Sequence, residues 1–199
     1  MKLERSFYTR QDVVQIAREL IGKAIFTKFN DEITAGIIIE TEDYEGITDR
    51  ASHAFGNRRT ARTEVMYATG GVAYVYLCYG VHSLFNIVTN KKDVPHAVLI
   101  RGIYPFVGLD VMLRRTGKLN LQRESGSGPG KVSKLLGIHY SHSGIDLVGD
   151  EIWLEDMGLV LNDEILTGTR IGVDYAGKDA LLPYRFYIKG NPFVSGKPN

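Results

Sequence analysis

The chain has 199 residues, 44% hydrophobic and 24% charged, with a net charge of +1 and a single cysteine, Cys78. This is an ordinary globular composition, and the length suits one domain or at most two small ones. It excludes an internal disulfide and a cysteine-rich metal site, and no apolar run approaches the roughly 18 residues that span a membrane.

Met1 to Ser6 carries no apolar signal core, and the lone thiol suits a reducing compartment, so a cytoplasmic protein is expected. Thr9-Arg10-Gln11-Asp12 reads as a variant capping box before a helix that carries Val13, Ile16, Ala17 and Leu20 and stops at Gly22. Lys23 to Phe29 and Ile33 to Glu42 read as paired strands around Asn30-Asp31-Glu32.

The second of these strands runs on through Ile37-Ile38-Ile39-Glu40-Thr41-Glu42-Asp43-Tyr44. Period-2 alternation puts Glu40, Glu42 and Tyr44 on one face and Ile39, Thr41 and Asp43 on the other, with the two glutamates roughly 7 Å apart. Enclosed, such a pair has at least one raised pKa and suits a general base. On an open edge it is only a solvated face, and the stretch alone leaves both readings standing.

Ile47 to Thr69 is polar, irregular and rich in Arg and Gly, and a connection of that length is functional or disordered. It holds His53, which reads either as a solvated loop side chain or as a site residue. Val72 to Tyr79 and Leu84 to Thr89 form a hairpin turning around Tyr79-Gly80-Val81-His82. Tyr74, Tyr76 and Cys78 share a face, as core packing or as a stacking platform, and Tyr79 at the turn reads as packing or as a wedge. Asn86 on the return strand can read the edge of a ring. Ala97 to Ile100 is a short strand ending at Arg101, whose guanidinium needs an anion: a phosphate, a carboxylate such as Glu42, or a plain ion-pair partner.

Tyr104-Pro105 reads as a helix start, with Val107, Val111 and Leu113 inside the helix. Gly126-Ser127-Gly128-Pro129-Gly130-Lys131 opens another, with Val132, Leu135 and Leu136. It is not a P-loop, because Ser125 and Val132 break the pattern, but it can bring amide groups and Lys131 to a phosphate. Strand-like pieces follow around Trp153 between Val148 and Leu161, then a strand from Arg185 to Ile188 and a loose tail, Lys197-Pro198-Asn199. His139 and His142 have no carboxylate at metal-site spacing, so no metal site is expected. Hairpins and separated helices without a linker predict one α+β domain, residues 1–199, with a mainly antiparallel sheet. Seven bases between Arg101 and Lys134, Arg58, Arg59 and Arg62, and seven acids between Ile145 and Gly168 suggest one positive and one negative face; scattered solvated charge is the alternative.

Taken in order, Glu40-Thr41-Glu42-Asp43-Tyr44, Ala51-Ser52-His53, Thr60-Ala61-Arg62, Tyr74 to Gly80, Asn86-Ile87, Val98 to Arg101, Ser127 to Lys131, Arg170 to Val173 and Arg185 to Gly190 resemble the alkyladenine (3-methyladenine) DNA glycosylase family. The resemblance runs from about Ser6 to Ser195. It implies a compact domain with a curved antiparallel sheet, surrounding helices and a β-hairpin inserted into the DNA minor groove. It further implies a base excision repair enzyme that flips out damaged purines, hydrolyses the N-glycosidic bond and leaves an abasic site without strand cleavage. The resemblance makes Glu42 the general base, with Arg101 near the water and the flipped nucleotide's phosphate. Tyr44, His53 and Tyr76 would wall the base pocket, Asn86 would disfavour guanine, and the backbone carbonyl of Ile171 would help hold the water. Tyr79 would fill the gap in the duplex; Arg62 and Lys131 are expected on DNA. No metal or organic cofactor is expected, and the partner would be duplex DNA carrying damaged purines, bound by a monomer, at the nucleoid in a bacterial cell. A non-catalytic module of the same fold that binds damaged nucleotides is the alternative.

Overall fold

A computed structural model of the chain describes residues 1–122, 124–159 and 164–196. The end of the Val148 to Leu161 stretch and the Lys197 to Asn199 tail lie outside the described residues.

Two short helices, α1 (Arg5–Tyr8) and α2 (Val13–Glu19), open the chain. Asp12, not Thr9, caps α2, its carboxylate accepting from the Gln15 N–H at 2.9 Å; Thr9 closes α1. The capping box expected at Thr9 is therefore replaced by a single acidic cap, which also suits the positive end of the helix. Val13, Ile16 and Ala17 are buried, and α2 packs against the sheet behind it.

The sheet is built around one long strand. β1 (Ala24–Phe29) turns at Asn30-Asp31, both at positive φ, into β2 (Glu32–Tyr44). Short polar side chains tolerate that left-handed pair, as in the tight hairpin turns they favour. β3 (Val72–Cys78), β4 (His82–Thr89) and β5 (His96–Val107) continue it, and β6 (Ile152–Glu155), β7 (Ile165–Gly168) and β8 (Arg185–Ile188) complete it. The order is β3-β4-β5-β2-β1-β6, with β8 joining β2 to β7, and every pairing is antiparallel. One edge of β2 thus changes partner: residues 32–37 pair with β1 and residues 40–42 with β8. The change coincides with register shifts between Ile38 and Thr41. Ile37 and Ile39 accordingly share an outer cluster with Tyr187 and Val194, while Ile38 lies in the main core. Strict alternation, which put Ile39 opposite Glu40, fails at this bulge, since an extra residue resets the parity.

Two expectations about β5 are corrected. The strand is 12 residues long, not four, and Tyr104-Pro105 lies within it rather than opening a helix. The missing N–H of Pro105 is tolerated because a register shift between Ala35 and Gly36 falls opposite it. Helix α3 (Leu109–Thr116) starts only after Gly108, whose φ of +69° lets the chain turn where a Cβ would clash with the Ile33 carbonyl oxygen. Helix α4 (Pro129–Leu136) has Pro at its start, as its sequence predicts, and packs on β4 and β5. The core between the helices and the sheet includes Tyr8, Leu20, Ile25, Phe85, Ile100, Met112 and Leu135.

Candidate active site

Glu40 and Glu42 are both fully buried at the partner-switching end of β2. Arg101, on the adjacent β5, lies between them: its Nε is 3.3 Å from an oxygen of each. Its Nη1 donates to Glu42 Oε2 at 3.4 Å and its Nη2 to the Ser195 hydroxyl at 3.1 Å. Glu40 also accepts from Arg185 Nε at 2.7 Å, the Ser195 hydroxyl at 2.8 Å and the Ser195 N–H at 2.6 Å. Two carboxylates facing two guanidiniums balance the buried charge.

Glu42 is held differently. Its Oε1 accepts the Ile171 N–H at 2.7 Å, and its Oε2 accepts the Tyr44 hydroxyl at 2.9 Å. Burial raises its pKa; Arg101, then the Ile171 amide and the Tyr44 hydroxyl, pull against that rise, and Glu40 adds a smaller push upward. The result is a desolvated carboxyl above the ordinary range, aimed by fixed donors, which is the state a general base requires. Burial also works against the charge of Arg101, but Glu42 and Glu40 outweigh it and keep the guanidinium protonated.

Beside this cluster opens an aromatic pocket lined by Tyr44, His53, Tyr74, Tyr76, Asn86 and Tyr175, with Ala51, Ser52, Met66 and Ala97 behind them. Tyr44 belongs to both, since the ring that lines the pocket carries the hydroxyl bound to Glu42. The His53 ring meets Tyr76 edge-on at 4.6 Å, and its Nδ1 is 2.8 Å from the Tyr74 hydroxyl. Burial, helped by Arg62 and Arg58, lowers its pKa to about 4, so His53 is a neutral ring at physiological pH. Asn86, which also lines the pocket, donates its amide hydrogens to the Tyr74 and Leu84 carbonyls, at 3.1 and 3.2 Å. The Ile47 to Thr69 loop is folded, not loose: Ala54, Met66 and Tyr67 pack with Tyr74, Val88 and Ala97, and that packing carries His53 to the pocket wall.

The Methylpurine-DNA glycosylase (MPG) family profile matches residues 6–192. The chain belongs to that family. It is 42% identical over 206 residues to a protein of Clostridium perfringens (strain 13 / Type A), covering 99% of this chain and all of the relative. A protein of Natranaerobius thermophilus is 44% identical over 197 residues (98% and 99% covered), and one of Chlamydia felis 41% over 187 residues (94% and 95%). Each is described as a candidate 3-methyladenine DNA glycosylase.

The site residues expected from sequence fall into three places. Glu42, Arg101 and Ile171 form the carboxylate cluster, although the group of Ile171 that touches it is the N–H. Tyr44, His53, Tyr76 and Asn86 form the pocket. Tyr79, Arg62 and Lys131 are exposed at the surface. Tyr79 is 94% exposed at the hairpin tip, where it and Gly80 both have positive φ and the Val81 N–H closes the turn on the Cys78 carbonyl at 3.1 Å. Arg62 lies 4.9 Å over the Tyr76 ring and shares a second cleft with Arg50 and Arg58. Lys131 is exposed in the first turn of α4, where Gly130 lies against His82 of the hairpin.

Sequence reasoning did not single out Tyr175, whose hydroxyl donates to the Ala51 carbonyl at 3.1 Å as it lines the pocket. It also missed Ser195, which binds Glu40 and Arg101 from 155 and 94 residues away. Neither has a local pattern to betray it. Arg170 and Arg185 lay inside recognised stretches, but nothing in their spacing showed what they bind.

Proposed function

We propose that this chain is a DNA glycosylase that removes alkylated purines, 3-methyladenine among them, from duplex DNA by hydrolysis. The observation that supports it best is the fully buried Glu42, aimed by the Tyr44 hydroxyl, the Ile171 amide and Arg101, directly beside an aromatic pocket. Tyr79 enters the duplex as a wedge and the damaged nucleotide flips out; a lesion that stacks or pairs poorly costs less to extrude. The flipped base is held among Tyr44, His53 and Tyr76. A cationic alkylpurine gains from these electron-rich faces, and a neutral His53 adds no repulsive charge. Glu42 orients a water for attack at C1′ and takes its proton, while the carboxylate charge stabilises oxocarbenium character. The alkylated base leaves with its electrons onto a ring that already carries positive charge, and water completes an abasic site without strand cleavage. Arg101, engaged by Glu40, Glu42 and Ser195, keeps the carboxylate in place.

The test is single-turnover incubation with duplexes carrying alkylated purine, hypoxanthine or 1,N6-ethenoadenine, followed by mild alkaline cleavage of abasic sites. Glu42→Gln lowers base release by roughly 10²–10⁴-fold, the range of a general base, and leaves lesion binding intact. The acidic limb of the wild-type rate profile lies above the ordinary carboxylate range, because activity is lost as pH falls through the raised pKa of Glu42. Near-normal release by Glu42→Gln would remove Glu42 from the chemistry. Tight lesion binding with no release by the wild type would make the chain a binding module.

A further inference from the structure

Arg170 stands immediately before Ile171, and its side chain is wholly buried. Its Nη2 donates to Asp49 Oδ1 at 2.9 Å, and its Nη1 forms the second arm of the same pairing to Oδ2. The same two nitrogens donate to the Asp43 carbonyl at 3.0 Å and the Asp179 carbonyl at 3.1 Å. The guanidinium also lies 4.9 Å over the Tyr44 ring and 5.3 Å over that of Tyr184. One planar cation therefore joins β2, the 45–69 loop, the segment after β7 and the turn ending near Asp179.

The two neutral donors to Glu42 are the Ile171 N–H and the Tyr44 O–H. Arg170 fixes both: it anchors the peptide that bears the first and covers the face of the ring that bears the second. We infer that Arg170 is a positioning residue for this family's reaction in this chain, acting on Glu42 through the Ile171 amide and the Tyr44 ring without touching substrate. The inference rests on the hydrolytic reading above, in which Glu42 is the base. A mere staple for the loop would need neither the stacking on Tyr44 nor adjacency to Ile171. The ionisable groups that face Glu42 are Glu40 and Tyr44 from β2, Arg101 from β5, and the nearby Asp43 and Tyr175, and a substitution at Arg170 replaces none of them.

The deciding variant is Arg170→Lys. It retains the positive charge but loses the two-armed fork and the planar stacking, so Arg and Lys are not equivalent here. The readout is the titration of the Glu42 side-chain carboxyl by carbon-13 NMR in DNA-free protein, assigned with Glu42→Gln. With its donors loosened, the Glu42 midpoint rises by about one pH unit. The acidic limb of single-turnover base release rises with it, so the lost rate is recovered at higher pH. If Arg170→Lys does not fold, Asp49→Asn, which opens one arm of the clamp and leaves Arg170 in place, decides by the same titration. An unmoved Glu42 midpoint in the folded variant overturns the inference, even where activity or Tm falls. Because the titration needs no substrate, a failure of base release in the wild type would refute the hydrolytic reading and leave this result separately readable.

Discussion

Asp43 follows Glu42 on β2, is as deeply buried, and meets the opposite environment. Glu42 accepts from two neutral donors and a guanidinium, whereas neither carboxyl oxygen of Asp43 has a hydrogen-bond partner among the described residues. Burial pushes the Asp43 pKa up to about 8, against the pull of Arg170 and with Asp49, Glu45 and Glu42 adding to the rise. Between pH 4 and 8 the folded chain therefore keeps a proton that the unfolded chain releases, and the stability from this residue falls as pH rises through that window. Asp43→Asn removes the titration. Its stability relative to wild type should climb from pH 4 to pH 8, by on the order of a few kcal/mol. Urea unfolding across that range measures it, and a pH-independent difference would refute the assignment. The sequence shows that Glu42 and Asp43 face opposite ways. Which of the two faces holds donors depends on Ile171 and Arg170, more than 120 residues downstream, and no local pattern carries that information.

At the scale of elements, the β3–β4 hairpin was legible because its signals are local: β-branched and aromatic alternation, and a Gly at the turn. The extent of β5 was not, since Pro105 marks both a helix start and a strand bulge, and only the register opposite Gly36 decides between them. The 45–69 loop announced itself by length, while the packing of Met66 and Tyr67 that makes it a wall is a tertiary fact. Tyr79 tests the hairpin as a unit. At 94% exposure it contributes little to the fold, so Tyr79→Ala should change unfolding free energy by no more than about 0.5 kcal/mol. If it acts as a stacking wedge, the same change weakens binding to a lesion duplex by about 1–3 kcal/mol, roughly 5- to 150-fold. Calorimetry with fluorescence anisotropy separates the two effects, and unchanged affinity would leave the tyrosine with no role on DNA.

At the scale of the molecule, a net charge of +1 says little, and the structure shows how the charges are spent. The acids after Ile145 are partly paired: Asp146 with Arg5, Asp150 with Lys2 and Asp156 with Lys23. Of the bases between Arg101 and Lys134, Arg101 is buried between Glu40 and Glu42, and Arg114 and Arg115 face Glu32. The positive face expected from sequence is thus smaller than a count of residues suggests. Within the Arg58, Arg59 and Arg62 cluster, sequence cannot rank the members. Arg59 is held by Glu64 and Asp93 at 2.7 and 2.9 Å, whereas Arg58 lines the cleft beside the pocket and has no carboxylate partner among the described residues. Lys131, exposed at the start of α4 beside the hairpin, is in the same position. Each phosphate contact releases counterions and adds about 0.9 to the slope of log affinity against log salt. Arg58→Ala and Lys131→Ala should therefore each flatten that slope by about 0.9 on a lesion-free duplex, whatever its sequence. Arg59→Ala should leave the slope unchanged, because its guanidinium is already neutralised within the protein. Titrations between 50 and 200 mM salt measure all three, and a slope that responds to Arg59 as strongly as to Arg58 would show that DNA breaks the Glu64 and Asp93 pairs to recruit it.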